Sequence, residues 1–259
     1  MKNWIKLEGE SIGHLVPLFK DMKDTCILSC LQGKMGQCWA DDGNSPTAAA
    51  LQVGDFCFLA GDSNAKGTRE MMKRFYERFR RETLFVIVEK SQWGDQLLEV
   101  YQKNCKKITR YEIKKKTEPF DCTLLERKIK NIQEPYEIVK ADENIYYQML
   151  REEWSKDFCA NFQSVSDYME HGLGFVALYK GEIVAGTSSY TWYEQGYEIE
   201  VVTKEAFRRK GLATATSAAF ILECQKRGKY PSWDAANMAS VHLAESLGYE
   251  FEKEYDTYR

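Results

Sequence analysis

The stretch that most constrains the fold of this chain is residues 201–215, VVTKEAFRRKGLATA. A β-branched run ends at Thr203, and a polar turn leads through three consecutive basic residues to Gly211 and an alanine-rich segment, which predicts a helix. The N–H groups of a helix's first turn have no partner inside the helix and attract anions. Gly211 allows the backbone to approach a ligand closely. The sequence therefore predicts a strand, a loop and a helix start that bind a phosphorylated ligand.

The spacing of this loop distinguishes it from two other phosphate-binding loops. It contains neither Gly-x-x-x-x-Gly-Lys-Ser/Thr nor Gly-x-Gly-x-x-Gly. The order Arg208-x-x-Gly211-x-Ala213 after a strand instead resembles the acyl-CoA pyrophosphate loop of the GNAT N-acetyltransferase superfamily.

A second motif follows the next predicted strand. Asn237-x-x-Ser240 precedes Leu247-Gly248-Tyr249, and GNAT enzymes carry Asn-x-x-Ala/Ser and then Leu-Gly-Phe/Tyr in this place. The run PSWDAANMASVHLAESLGY is similar to a GNAT subgroup that includes the zwittermicin-resistance acetyltransferase. Two motifs in the right order make the resemblance specific.

The element order over residues 135–259 is β-α-α-β-β-β-α-β-α-β, which is the GNAT order. The resemblance implies an α/β (α+β) fold, a mixed and mostly antiparallel sheet flanked by helices. We expect a hairpin turn at Gly181-Glu182 and a bulge at Gly186. The predicted helices cover 143–156, 164–171, 211–227 and 238–247. The predicted strands cover 135–142, 174–180, 183–193, 197–203, 230–234 and 249–258.

Residues 1–117 predict a related order, three strands followed by α-β-α-β, so they are interpreted as a degenerate GNAT-like domain. Their loop at 61–67 contains Asp62 and lacks Arg-x-x-Gly-x-Ala, so we assign it no cofactor. This half would either shape the acceptor pocket or form a homodimer contact. Residues 118–134 are predicted to link the halves. The predicted helices cover 10–22, 68–81 and 94–103, and the predicted strands cover 36–41, 48–53, 55–60, 84–89 and 106–116.

The resemblance implies that acetyl-CoA is the co-substrate. Its pantetheine arm would pair with the strand edge at Val201, Val202 and Thr203. Asn237 and Ser240 would contact the pantetheine or the thioester region. The pyrophosphate would be held by the loop and helix start, which comprise Arg208, Arg209, Lys210, Gly211, Leu212, Ala213 and Thr214.

Direct transfer requires the acceptor amine to lose a proton, because an alkyl amine is mostly protonated at neutral pH. A carboxylate, directly or through water, can serve as the base. Glu198 and Glu200 project from one face of the predicted strand, because alternate strand residues point the same way. Asp234, at the end of the next strand, is a third candidate, and the carboxylates would otherwise be solvated or bind a cationic substrate. A backbone N–H near Val201 would stabilise the oxyanion.

One departure from the family pattern concerns the leaving thiolate. Many GNAT enzymes place a tyrosine in the helix after Asn-x-x-Ser, and the matching position here is Ala244. The role is vacant or is filled by Tyr249 or Tyr190, and a thiolate is a tolerable leaving group near neutral pH. We predict acetylation of a primary amine of a small molecule. The alternatives are transfer of a longer acyl group, acetylation of a protein amine, and catalytically silent acyl-CoA binding by a sensor or partner domain.

Composition argues against other partners. The net charge is −3 with both signs interspersed, which argues against nucleic acid as a partner. No run approaches about 18 apolar residues and the start lacks a signal-like apolar region, so we expect a cytoplasmic chain without membrane association. The eight cysteines form no Cys-x-x-Cys pair and the chain has three histidines, so we expect reduced thiols and no metal site.

Overall fold

A computed structural model describes residues 4–79 and 84–259 of the chain. The chain divides into two compact units. Unit 1 comprises Met1–Arg110 and Glu254–Arg259, and unit 2 comprises Tyr111–Lys253. The chain therefore enters unit 2 once and returns to unit 1 for its last residues. Residues 118–134, predicted as a linker, lie inside unit 2.

Unit 1 contains a sheet with helices packed against it. Its elements are β1 (Ile5–Leu7), a 3-10 helix (Gly9–Leu18), α1 (Thr25–Leu31), β2 (Gln37–Ala40), β3 (Ala48–Val53), β4 (Phe56–Gly61), α2 (Thr68–Phe79), β5 (Phe85–Val88), α3 (Ser91–Tyr101) and the start of β6 (Lys107–Lys114). Consecutive strands from β1 to β4 pair antiparallel, whereas β4 and β5 are parallel. The helix predicted over 10–22 is a 3-10 helix with Pro17 inside it. Residues 80 and 81 of the helix predicted over 68–81 lie outside the described residues.

Unit 2 is built on a five-stranded sheet. Its elements are α4 (Cys122–Lys130), β7 (Tyr136–Lys140), α5 (Glu143–Arg151), α6 (Val165–His171), β8 (Gly174–Tyr179), β9 (Glu182–Tyr193), β10 (Gly196–Thr203), α7 (Leu212–Lys226), β11 (Tyr230–Ser232), β12 (Asp234–Ala235), α8 (Met238–Glu245) and the start of β13 (Glu250–Tyr258). The strand order is β11-β10-β9-β8-β7, in which β10 and β11 are parallel and the other pairs antiparallel. This confirms the predicted mixed, mostly antiparallel sheet flanked by helices.

Helix α7 covers one face of this sheet, and the segment from α5 to α6 covers the other. Thr187 of β9 turns toward α7, where its hydroxyl is 2.9 Å from that of Thr216. The neighbouring Ser188 points to the opposite face and donates to the Phe158 carbonyl at 2.6 Å. On β10, Tyr197 packs edge-on against Phe220 of α7. Because side chains alternate along a strand, Glu198 and Glu200 project from the face of the sheet that is turned away from α7.

The predicted bulge at Gly186 is wrong. The register of β9 shifts at Val184 and at Tyr190, whereas Gly186 pairs regularly with both neighbouring strands. A Cβ built on Gly186 would lie 2.8 Å from the ring of Phe158. The glycine therefore serves close packing between the sheet and the segment above it.

Three further features differ from the predictions. The hairpin turn between β8 and β9 is Lys180-Gly181, one residue earlier than expected, with φ of 53° and 83°. The helix predicted over 143–156 ends at Arg151, because Glu152 takes an extended conformation with φ −113° and ψ 138°. The strand predicted over 230–234 is two strands, β11 and β12, which have different partners.

Helix α4, in the segment predicted as a linker, lies along α7. At its start, Phe120 N donates to Gln225 Oε1 near the end of α7 at 2.7 Å. Beyond its other end, Ile132 packs with Leu212 at the start of α7. The two helices therefore run antiparallel, and Leu125, which is fully buried, belongs to the core that they share.

Candidate functional site

The strands of unit 2 separate beside β10. The parallel pairing of β10 with β11 ends where Glu198 lies opposite Ser232, while β10 stays paired with β9 as far as Thr203. After Ser232 the chain leaves β10, and Asp234 pairs with Glu112 instead. We call the opening between residues 199–203 of β10 and strand β12 the fork. Within the described part of the chain, no strand pairs with this edge of β10.

The edge that borders the fork carries the three residues predicted to pair with pantetheine. Val201, Val202 and Thr203 end β10, and all three are half-buried. On their other side they pair with β9, opposite Thr187, Gly186 and Ala185 in that order. A strand paired on one side can accept an extended ligand on the other.

The basic loop leads from this edge to the start of α7. Arg209 and Gly211 both have left-handed backbone conformations, with φ of 61° and 77°. Gly211 is the N-cap residue, and no side chain caps the helix. Its carbonyl accepts the first helical bond, from Ala215 N at 3.0 Å. Among the described residues, the N–H groups of 212–214 therefore have no hydrogen-bond acceptor, which is the arrangement that binds anions.

The exposed cations of the loop differ in their contacts. Arg208 Nε lies 3.4 Å from the Thr203 carbonyl, so this side chain reaches back to the end of β10. The Lys210 ammonium lies 5.9 Å from the centre of the Tyr136 ring. Arg209 has no ion-pair partner within the part of the chain that the structure describes. The loop thus presents positive charge beside the open helix start.

Asn237 and Ser240 organise the start of α8. The Asn237 side chain accepts from Ser240 N at 3.0 Å and so caps the helix. The Ser240 hydroxyl accepts from Trp233 Nε1 at 3.0 Å. Both residues thus stabilise the segment that follows β12, and their contact with pantetheine stays a prediction.

The three candidate bases occupy different positions at the fork. Glu198 is 6% exposed, and its carboxylate accepts from Asp234 N at 3.0 Å. Glu200 is half-buried, lies beyond the end of the β10–β11 pairing and faces Ser188 across the strands. Asp234 does not end the strand predicted over 230–234 but begins β12, because the chain changes partner at Trp233. The structure therefore places all three carboxylates near the point where the pairing of β10 with β11 ends and the fork begins.

The two tyrosines that the sequence offered as thiolate-protonating acids, Tyr249 and Tyr190, are both buried. Ala244 is fully buried in the core, so its position faces away from solvent. The Tyr249 hydroxyl is buried and donates to the Pro231 carbonyl at 2.7 Å. Burial raises the pKa of Tyr249 well above its ordinary value. Tyr190 is also buried, and its carbonyl accepts from Asn161 Nδ2 at 3.1 Å.

A cluster that the sequence did not indicate lies at the far end of β10. Lys204 donates to both carboxylate oxygens of Glu152, at 3.1 and 2.8 Å, and Trp154 Nε1 donates to the same carboxylate at 2.7 Å. The Lys204 ammonium also lies 5.8 Å from the centre of the Trp154 ring. These bonds lower the pKa of Glu152, the Lys204 bond most. Residues about fifty positions apart carry no local signal for such a contact.

Unit 1 differs at the end of its own parallel strand pair. The pairing of β4 with β5 ends where Leu59 lies opposite Val88. Beyond it, Gly61 N donates to Glu89 Oε2 at 3.0 Å, and the Gly61 carbonyl accepts from Trp93 Nε1 at 3.1 Å. Side chains of the unit itself therefore bind the backbone of β4 at this point.

Residues 4–79 and 84–259 also bear on other kinds of site. No group of three or more side chains suited to a metal ion converges there. No helix in these ranges combines the length and apolar composition that a membrane crossing requires. All eight cysteines are free thiols, and all but Cys122 are buried. Burial raises the pKa of Cys38 and of Cys159 to about 12.

Comparisons with known proteins agree with this geometry. The sequence model of the GNAT acetyltransferase family matches residues 16–258. An uncharacterized N-acetyltransferase, YdfB of Bacillus subtilis (strain 168), is 27% identical over 236 residues, which are 86% of this chain and 85% of that protein. The crystal structure of a GCN5-related N-acetyltransferase-like protein from Streptococcus suis 89/1591 is 39% identical with a TM-score of 0.89, covering 96% of this chain and 98% of that one. A GCN5-related N-acetyltransferase from Sphaerobacter thermophilus shares the fold at 10% identity, with a TM-score of 0.53 and coverage of 98% and 94%.

Proposed function

The chain belongs to the GNAT acetyltransferase family, and we propose that it transfers the acetyl group of acetyl-CoA to the primary amine of a small molecule. The observation that carries this proposal is the fork beside the open start of α7. Between Val201 and Thr214 the chain forms first the strand edge that borders the fork and then a helix start of the kind that binds anions. Coenzyme A contains a pyrophosphate joined to an amide-containing arm, and these two features suit such a site.

The residues present fit that co-substrate. The N–H groups of residues 212–214 and the positive end of the α7 dipole favour the pyrophosphate. The edge of β10 from Val201 to Thr203 offers backbone groups to the amides of the arm. Bound acetyl-CoA would supply an activated thioester carbonyl for attack by the amine.

We assign proton removal from the amine to Glu200. It lies on the face of β10 that is turned away from α7, and it stands beyond the last residue pair that joins β10 to β11. A half-buried carboxylate at this place can take a proton directly or through water. Glu198 and Asp234 are the alternatives, but Glu198 is 6% exposed and so less accessible to an amine than the half-buried Glu200.

The departing thiolate needs no tyrosine in this proposal. The Tyr249 hydroxyl is buried and bonded to a carbonyl, and Ala244 offers no acid. A thiol has a pKa of about 8.5, so its thiolate is a tolerable leaving group near neutral pH. After it departs, the thiolate can take a proton from water.

A direct assay tests the proposal. The protein is mixed with acetyl-CoA and a panel of primary amines, and thiol release is followed with a chromogenic reagent. A blank without amine corrects for Cys122, the exposed thiol. Thiol release that depends on an amine, with the acetylated amine found by mass spectrometry, supports the proposal.

The second candidate is a catalytically silent acyl-CoA-binding sensor. The alanine at position 244 and the buried, bonded hydroxyl of Tyr249 favour it. Tight binding of CoA without turnover of any small amine or peptide amine would support the sensor and contradict the transferase. Turnover of peptide amines alone would shift the acceptor class to proteins.

A further inference from the structure

The Glu198 side chain connects the two strands that border the fork, β10 and β12, which we call its arms. It belongs to the last residue of β10 that pairs with β11, opposite Ser232. Its carboxylate accepts the N–H of Asp234, the first residue of β12, at 3.0 Å. A side chain of one arm thus holds the backbone of the other at the point where strand pairing has stopped.

The acceptor of the Asp234 N–H affects the distance between the backbones of β10 and β12. Backbone hydrogen bonds keep neighbouring strands about 4.8 Å apart. Here a side chain, and not a backbone carbonyl, accepts the Asp234 N–H, so this bond does not impose that spacing on β10 and β12. Asp234 is half-buried, and a backbone N–H in such a place requires an acceptor. Glu198 supplies that acceptor without closing the fork.

The surroundings suit a fixed and not a mobile carboxylate. Glu198 is 6% exposed, and the next residue, Ile199, belongs to the hydrophobic core shared with α7. Asp234 is fixed on its other side by its pairing with Glu112. The hydrogen bond therefore connects two backbones that are each held by their own strand partners.

We propose that Glu198 is a positioning residue that sets the width of the fork, and thereby the affinity for coenzyme A, while proton transfer belongs to Glu200. The inference rests on the proposed function, since it concerns the same cofactor site. It separates two glutamates that the sequence presents as equivalent candidates for one role.

Calorimetric titration with coenzyme A tests this assignment without any knowledge of the acceptor. The variants are Glu198→Gln, whose amide oxygen still accepts an N–H, and Glu198→Leu, which cannot. We expect Glu198→Gln to bind within about threefold of the unaltered protein and Glu198→Leu to bind about tenfold more weakly or worse, because a buried hydrogen bond to the arm is lost. Glu200→Gln is the contrast, expected to lose turnover while it keeps its affinity for coenzyme A.

Two results would overturn the inference. One is binding to Glu198→Leu that matches the unaltered protein. The other is equal weakening in Glu198→Gln and Glu198→Leu, since the charge and not the hydrogen bond would then matter. If Glu198→Leu does not fold, Glu198→Asp replaces it; this variant keeps the charge but is one carbon shorter, and unchanged affinity in it would also contradict the inference. No binding of coenzyme A to the unaltered protein would instead overturn the proposed function itself.

Discussion

Replacement of Gly211 tests the assignment of the loop to a pyrophosphate. Gly211 has φ of 77°, and a Cβ built on it would meet only Ile132 Cδ1, at 3.7 Å, an ordinary contact. Space therefore permits a side chain, and the cost lies in the left-handed backbone. That cost is about 1–2 kcal/mol for most residues and less for asparagine. It is present with and without ligand, so it lowers stability but largely cancels in binding.

A charge at this position acts on binding itself. A carboxylate about 4 Å from one phosphate charge costs about 1 kcal/mol in a fully aqueous environment. Gly211 is exposed, so the aqueous limit applies, and two pyrophosphate charges make the penalty about 2 kcal/mol. We therefore expect Gly211→Glu to bind coenzyme A about thirtyfold more weakly than Gly211→Asn.

Calorimetry with coenzyme A at low salt and at 1 M salt measures this difference. Gly211→Asn is the matched control, because it shares the backbone position without the charge. Both variants should unfold at a lower temperature than the unaltered protein, and high salt should shrink the difference in affinity between them. Binding to Gly211→Glu within threefold of Gly211→Asn at low salt would refute the placement of the pyrophosphate.

Three further predictions concern individual side chains. Glu200→Gln should lower kcat about 10²- to 10⁴-fold and flatten the rise of rate with pH, measured over pH 6–9 with any amine that turns over; an unchanged profile would exclude Glu200 as the base. Asn237→Ala removes the cap of α8 and should cost about 1 kcal/mol, seen as a melting temperature about 2–4 °C lower, and an unchanged melting temperature would contradict the cap. The Glu152 pKa is lowered in the folded state, so its pair with Lys204 stabilises above the ordinary value of 4.5 and that contribution is lost as pH falls through the lowered pKa. Lys204→Met should therefore weaken the dependence of unfolding on pH below about 4.5, by less than about 1 kcal/mol because both side chains are partly exposed, and an identical acid profile would contradict the pair.

The strand, loop and helix of the proposed cofactor site were predictable because their signals are local. A β-branched run, a glycine after three cations and an alanine-rich segment each determine the backbone over a few residues. The strand β10 ends at Thr203 as predicted, and the helix starts at Leu212, one residue after the predicted start. The family resemblance could be seen from the sequence for the same reason, since its motifs occupy short stretches.

The contacts that shape the fork were not predictable in this way. The bond from Asp234 N to Glu198 depends on where two strands stop pairing, which sequence periodicity does not reveal. Gly186 appeared to mark a bulge, yet its lack of a side chain accommodates Phe158 from a distant segment. In each case a partner far away in sequence determines the role of the residue.

The return of residues 254–259 to unit 1 affects the order in which the chain folds during synthesis. Unit 2 is one continuous stretch, Tyr111–Lys253, and all of it leaves the ribosome before those residues do. Thr257 pairs with Ile87 of unit 1 and Tyr258 pairs with Val86, so that unit lacks part of its sheet until they emerge. Domains usually complete their folding from the N-terminus onward. Here the unit that is synthesised first is completed last.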